Sequence, residues 1–309
     1  MTVSIAAILP VFNGERYVRQ AVESVLGQTR IPDEILVVDD GSTDGTAGIL
    51  ASFGDRIRAI RTENRGVASA RNAGARAARS TYAAFLDADD AWEAEAIALD
   101  ADAARRNPEA VLFFADALAV SADGRPRRVL HRPPGPGPLF DALLRGNVIV
   151  TSTAMVRRDV FERIGYFRED FVCKAGVEDW EFFLRCSRAG PFAYIPRTVV
   201  RYRIHPAGAV QTHREAMKVD ALRVLSLHAE GVPAPLRRAA RSRVYFDSGV
   251  RHLAAQDLPE ARRDFLRSLR TFRSFPRGLA GLAVACSPAP VARFLRRVRA
   301  AVHGRAAAP

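Results

Sequence analysis

The chain has 309 residues, 48% hydrophobic and 26% charged, an ordinary globular composition that suffices for one large domain or two. Three cysteines (Cys173, Cys186 and Cys286) with no CxxC or CxxxC pair argue against a disulfide framework or a structural zinc site and fit a reducing cytoplasm. The net charge of +12 arises from Arg237 onward, where sixteen Arg meet four acids; the first 236 residues carry thirty basic and thirty acidic groups. The basicity therefore belongs to a tail.

In chain order, Val3 to Leu9 is an apolar run that reads as a first strand, since Met1 to Pro10 lacks the basic flank of a signal peptide. Glu15 to Gln28 places Val18, Ala21, Val22 and Val25 at helical spacing. Glu34 to Val38 predicts a strand ending in Asp39-Asp40, followed by a short helix through Phe53. Ile57 to Ile60 is a third strand, Val67 to Ala78 an Ala-rich helix and Tyr82 to Leu86 a fourth strand. Strand and helix in alternation imply a parallel sheet with right-handed crossovers. A helix over Glu93 to Arg105 and a strand over Ala110 to Ala115 follow.

Gly124 to Pro138 holds five Pro, three Gly and four Arg, and is expected to be a mobile surface loop. Leu139 to Leu144 predicts a short helix, Val148 to Val156 a strand, and Val177 to Arg188 a helix. Phe192 to Ile204 predicts two strands broken by Pro196. Beyond Pro206 the pattern is helical, which places a boundary near residues 206 to 216. Tyr245, Gly249, Ala261 and Phe265 fall at the spacings of one tetratricopeptide-like helix pair near 244–272. Leu279 to Ala292 is too short, and too broken by Pro288 and Pro290, to span a membrane. Val291 to Val302 is a basic amphipathic helix that suits either an anionic membrane surface or docking on its own domain.

The most informative segment is Asp87-Ala88-Asp89-Asp90, at the end of the fourth strand. Open α/β sheets bind ligands at that edge, and carboxylates with a diphosphate suit Mg²⁺ or Mn²⁺. The same acids also fit a helix N-cap, with Asp89 or Asp90 capping a helix that begins near Trp92. Pro10-Val11-Phe12-Asn13 follows strand one and Asp39-Asp40-Gly41-Ser42-Thr43-Asp44 follows strand two, so three motifs share one edge. A turn of Pro10-Val11-Phe12-Asn13-Gly14 lacks GxGxxG and disfavours a nicotinamide cofactor. Phe12 suits stacking on a base, and Asp40 suits accepting a uracil N3–H.

With Asn64-Arg65-Gly66 and Ala70-Arg71-Asn72, this order over residues 1–210 resembles the family-2 glycosyltransferases of GT-A fold. The resemblance implies an α/β, Rossmann-like, mostly parallel sheet with helices on both faces, followed by a helical module over 211–309. It places Pro10, Phe12, Glu15, Asp40, Arg71, Asp87 and Ala88 on the nucleotide-sugar donor. Asp87 meets the ribose and the metal region and Asp89 binds the metal directly, with His205 of Tyr202-Arg203-Ile204-His205 as the third metal residue. Arg71 is expected to pair with a carboxylate of the site or with phosphate. Glu178-Asp179-Trp180 matches the acceptor-side acid pair, with Asp179 as general base and Glu178 and Trp180 beside the acceptor. An acid pair also stabilises any helix first turn.

The expected function is metal-dependent, inverting transfer of a sugar from a nucleotide donor, with UDP favoured, to a hydroxyl of a glycan or lipid-linked acceptor. The rival is a non-catalytic nucleotide-sugar-binding scaffold acting through its tail. The expected location is the cytoplasm, peripheral at the inner face of the membrane, with no nucleic-acid partner because basic surface with interleaved aromatics is missing.

Overall fold

The computed structural model describes residues 3–131, 133, 138–173, 176–206, 208 and 213–271. These form two compact units, one comprising residues up to Phe140 plus Asn147–His205, the other Asp141–Gly146 plus the described residues from Pro206 onward.

The first unit is built on a mixed sheet in the order β3-β2-β1-β4-β8-β6-β9-β5, with β7 added on β6. Its parallel half is β1 (Ile5–Val11), β2 (Glu34–Asp39), β3 (Arg58–Arg61) and β4 (Tyr82–Phe85). Every residue of β1 is buried, as expected for a parallel strand covered on both faces. On one face, Ile5, Ala7, Leu9 and Val11 share a core with Val18, Ala21, Val22 and Val25 of α1 (Val18–Leu26). On the other, α3 (Val67–Ala77) lies so close that a Cβ on Gly74 would come within 2.4 Å of Ile8 Cγ2. Glycine there sets the helix-to-sheet distance.

The second half of the sheet brings in antiparallel pairs. β8 (Met155–Arg157) pairs with β4 and with β6 (Leu112–Ser121), and β7 (Pro126–Leu130) makes a hairpin with β6. The Pro-rich 124–138 segment thus contains a strand, and the 148–156 stretch is a 3₁₀ turn (Thr151–Thr153) followed by only three strand residues. Phe192–Ile204 is one strand, β9, parallel to β6. Its register runs Ala115↔Ile195 then Asp116↔Thr198, so exposed Pro196 and Arg197 bulge out of the ladder. A bulge tolerates the missing proline N–H without ending the strand.

The helix expected from Glu93 begins later, as α4 (Ala96–Arg106), because Ala91–Trp92 forms β5 against β9. The short α2 (Thr46–Ala51), α5 (Leu139–Leu144), α6 (Asp159–Ile164) and α7 (Glu178–Ala189) complete the connections.

From Pro206 onward the described residues form α8 (Arg214–Leu227), α9 (Ala234–Ala254) and α10 (Leu258–Thr271). Phe246, Leu253, Ala261 and Phe265 pack between α9 and α10. A Cβ on Gly249 would lie 2.8 Å from the Phe265 ring, so that glycine lets the hairpin close. The basic segment Val291 to Val302 lies outside the described residues. Among the described residues no helix is long and apolar enough to cross a membrane.

Candidate active site at the sheet edge

The site starts where β1, β2 and β4 end. Leu86 N–H donates to Ile8 O and Asp40 N–H donates to Val11 O, so even and odd residues of β1 face opposite neighbours. Pro10 therefore turns its nitrogen toward the space past the end of β4, where no ladder bond is lost. Phe12 follows and is 47% exposed, an aromatic face left open at the edge. Asn13, with φ of 49°, starts a turn zipped to the loop after β2. Asn13 N–H donates to Ser42 Oγ, Gly14 N–H to Thr46 Oγ1, and Gly45 N–H to Glu15 Oε2 at 2.8 Å. Glu15 thus fastens one loop to the other.

Asp40 is buried and its carboxylate closes the Asn64-Arg65-Gly66 turn. Oδ1 accepts from Arg65 N–H (3.1 Å) and Thr62 Oγ1 (3.2 Å), and Oδ2 accepts from Gly66 N–H (2.7 Å). A carboxylate has about four acceptor sites, so one remains on Oδ2.

Asp87 to Asp90 form a turn closed by Asp90 N–H to Asp87 O. Each acid meets a different environment. Asp87 accepts Arg71 Nη2 at 2.6 Å. Asp89 is the most open, its side chain 37% exposed, and its Oδ2 lies 2.9 Å from His205 Nε2. Asp90 is buried and accepts Ser152 Oγ (2.6 Å) and Arg203 N–H (2.8 Å). Burial, with Asp89 and Asp87 next, drives the Asp90 pKa well up. The N-cap alternative fails, since the N-cap of α4 is Glu95. Asp90 is instead a buttress tying this turn to β9.

Arg71 joins the two halves of the site. It is buried, with Nη1 on Glu178 Oε1 (2.5 Å) and Nη2 on Asp87. Burial would lower its pKa, but Asp87, Glu178 and Asp179 together raise it, so it stays charged. Both Nη nitrogens of Arg71 are engaged on protein carboxylates, so of its two expected partners the structure shows the carboxylate. The neighbouring Asn72 holds the Phe167 backbone from both sides, donating to its O and accepting from its N–H.

Glu178 reaches back to Gly176 N–H and Val177 N–H at the start of α7, and it is buried together with Trp180. Both were expected on the acceptor side; Glu178 is a counter-charge of Arg71, and Trp180 lies in the core. Asp179 is the partly exposed member of the segment. Its Oδ2 accepts Thr151 Oγ1 at 2.6 Å and Asn147 Nδ2 at 3.2 Å. Burial first, then the charge of Glu178, push its pKa up to about 6. A carboxylate poised there suits a general base near neutral pH.

Sequence reasoning missed the floor. Thr151 holds Asp179, while Ser152 holds Asp90 and receives Asp87 N–H, all from one 3₁₀ turn. It also missed Arg203, whose guanidinium reaches Asp89 O (2.8 Å) and Gln20 Oε1 (2.7 Å) above the Tyr17 ring. The Arg within Tyr202-Arg203-Ile204-His205 was the available signal for it.

A divalent cation fits the open pair. Asp89 would supply a carboxylate and His205 an imidazole nitrogen, and a diphosphate would complete an oxygen-rich shell. Asp87, Asp89 and His205 do not by themselves form a three-ligand cluster. The one such cluster among the described residues is Glu215, His252 and Asp264, which lies in the helical unit.

The chain is similar to known proteins in sequence and in fold. An uncharacterized glycosyltransferase of Rickettsia prowazekii (strain Madrid E) is 27% identical over 219 residues, covering 67% of this chain and 66% of the relative. The chain spans 37% to 66% of the length of the first such relatives. Two solved structures share the fold. A mannosyltransferase from Pyrobaculum calidifontis, in complex with GDP-Man and Mn²⁺, has a TM-score of 0.59 at 18% identity, over 98% of this chain and 87% of that one. S. aureus TarS 1-349, in complex with UDP-GlcNAc, has 0.57 at 14% identity, over 92% and 90%. Residues 6–165, which hold the edge motifs from Pro10 to Asp90 and the Thr151–Thr153 turn, match the sequence family described as Glycosyl transferase family 2. Motifs, fold and sequence agree, and the chain belongs to that family.

Proposed function

We propose that the first unit is an inverting glycosyltransferase that moves a sugar from a nucleotide donor, with UDP-sugars favoured, to a hydroxyl of a glycan or lipid-linked acceptor. One observation carries the reading: a single buried guanidinium, Arg71, binds the donor-edge acid Asp87 and the acid Glu178, and these two with the adjoining Asp179 keep it charged. Two motifs 90 residues apart, Asp87-Ala88-Asp89 and Glu178-Asp179, thereby become one centre.

In this reading Phe12 stacks on the base, and the free acceptor site of Asp40 Oδ2 takes a base N–H. Asp89 and His205 would hold Mn²⁺ or Mg²⁺, which when bound neutralises the diphosphate leaving group. Asp179, ionised above about pH 6, takes the proton of the acceptor hydroxyl as that oxygen attacks the anomeric carbon opposite the leaving group. A single displacement of this kind inverts the anomeric centre. Thr151 and Asn147 fix the carboxylate, and Arg71 holds Glu178 so that the two acids stay apart in role.

The reading also draws on the solved relatives bound to UDP-GlcNAc and to GDP-Man with Mn²⁺. A panel of nucleotide sugars with Mn²⁺ or Mg²⁺ tests it, scored by release of UDP, GDP or TDP and by NMR of the product anomer. Cation-dependent release with one donor class and an inverted product is expected. Release that is equal with and without excess chelator, or a retained anomer, would refute the mechanism.

A further inference from the structure

The helical unit carries a groove of about 340 Å³ that the transfer reaction does not use. Leu144, Leu222 and Leu225 form its apolar floor, and Arg237, Arg238 and Arg241 of α9 form its wall. We infer that this groove binds an anionic phospholipid, with one apolar chain on the leucines and the phosphate on the arginines.

The three arginines stand apart from others in their unit. Arg243, Arg263 and Arg267 each face a carboxylate within one helical turn: Asp247, Glu260 and Asp264. Arg238 and Arg241 are exposed and make no ion pair among the described residues, and Arg237 meets only the Ala229 carbonyl, at 3.4 Å. Residues 237 and 241 lie one turn apart, with 238 beside them, so their guanidinium groups share one face. Guanidinium forks match phosphate oxygens, and their alkyl stems extend an apolar floor.

Charge and shape select among occupants. Residues 272–309 contain seven Arg and no Asp or Glu, so they offer this cationic wall no counter-charge. A second copy of the same groove offers none either. Inorganic phosphate satisfies the arginines but leaves the leucine floor wet, and so does an acidic polymer. The volume lies at the low end of ligand pockets, which run about 300–1,000 Å³, and suits one chain rather than a folded partner. A phosphate head with an apolar tail meets both walls.

The test uses the full chain and measures binding alone, so it is independent of transfer activity. Co-sedimentation with phosphatidylglycerol vesicles should exceed that with phosphatidylcholine vesicles and weaken with salt. Arg238→Glu with Arg241→Glu should lower the affinity at least tenfold, and Leu222→Gln several-fold, with unchanged circular dichroism. If the double reversal fails to fold, the double alanine variant takes its place. Short-chain phosphatidylglycerol below its micelle threshold should raise the melting temperature of the wild type but not of the double variant, and inorganic phosphate should raise neither. Wild-type vesicle affinity in the arginine variants would overturn the proposal. So would binding lost only on deleting residues 272–309, or displacement by poly-aspartate as effective as displacement by the short-chain lipid.

Discussion

Asp264 in the helical unit is fully buried, with Lys218 Nζ at 3.0 Å and Ser248 Oγ at 2.7 Å, whereas Asp89 at the sheet edge is 37% exposed and faces the imidazole of His205. Both lie among other acids and a histidine. Glu215, His252 and Asp264 even place three ligand atoms within 4.8 Å, closer to a metal cage than anything at the sheet edge. Yet Lys218 already bridges Glu215 and Asp264, so that cluster carries its own cation. The edge cluster has its charge spread differently. Arg71 is committed to Asp87 and Glu178, Asp90 is driven toward its neutral form, and Asp89 is left open. A compensated cluster holds helices together; the accessible one, with Asp89 uncommitted to any arginine or lysine among the described residues, is where the proposed cation would bind.

The comparison breaks if the two clusters respond alike to substitution. The largest effect is expected at the open acid. Asp89→Asn should lower transfer by about 10³-fold or more, since a bound cation supplies several kcal/mol to the transition state. Its melting temperature should stay level or rise, because like-charge crowding with Asp87 and Asp90 is relieved. Nucleotide release and thermal unfolding measured on one preparation check both halves. The converse belongs to the tail: Asp264→Ala leaves Lys218 with Glu215 alone and the buried Ser248 hydroxyl without its acceptor, and should cost about 3 kcal/mol of stability, read by denaturant unfolding of the helical unit.

Next in size is the proposed base. Asp179→Asn should reduce turnover by about 10²–10⁴-fold. In the wild type, kcat/KM should rise with pH through about 6 and then level, because the ionised form is the active one. Thr151→Val removes a hydrogen bond that favours the ionised carboxylate, so the rising limb should move to higher pH. An unmoved limb would give Thr151 a purely structural role.

Asp100 on α4 is a third kind of acid, closed and uncompensated. It is buried, its Oδ1 has no hydrogen-bond partner, and burial pushes its pKa up to about 8. Its folded-state pKa is above the unfolded one, so its contribution to stability is complete below about pH 4 and is lost as pH rises through about 8. Asp100→Asn should flatten that slope and gain on the order of 1 kcal/mol at pH 8. Melting curves from pH 4 to 9 check this smallest effect.

Much of the edge was legible because strand ends and carboxylates are both local signals. Apolar runs located β1, β2 and β4, and the acids after them located Asp40, Asp87 and Asp89. The floor was not legible. Thr151 and Ser152 belong to a short 3₁₀ turn whose sequence reads as a strand, and their partners lie 28 and 62 residues away. Pro196 read as a strand break because a bulge depends on the neighbouring β6, which single-strand patterning does not contain. Burial was also hidden: nothing in Glu178-Asp179-Trp180 tells that the outer two turn inward.

The proposed mechanism assigns donor and acceptor chemistry to different carboxylates, Asp89 and Asp179. Calorimetric titration of UDP, with and without Mn²⁺, into the wild type, Asp89→Asn and Asp179→Asn tests this most directly. Mn²⁺ should tighten UDP binding in the wild type and equally in Asp179→Asn, and this gain should disappear in Asp89→Asn. A cation-dependent gain that survives in Asp89→Asn, or is lost in Asp179→Asn, would contradict it.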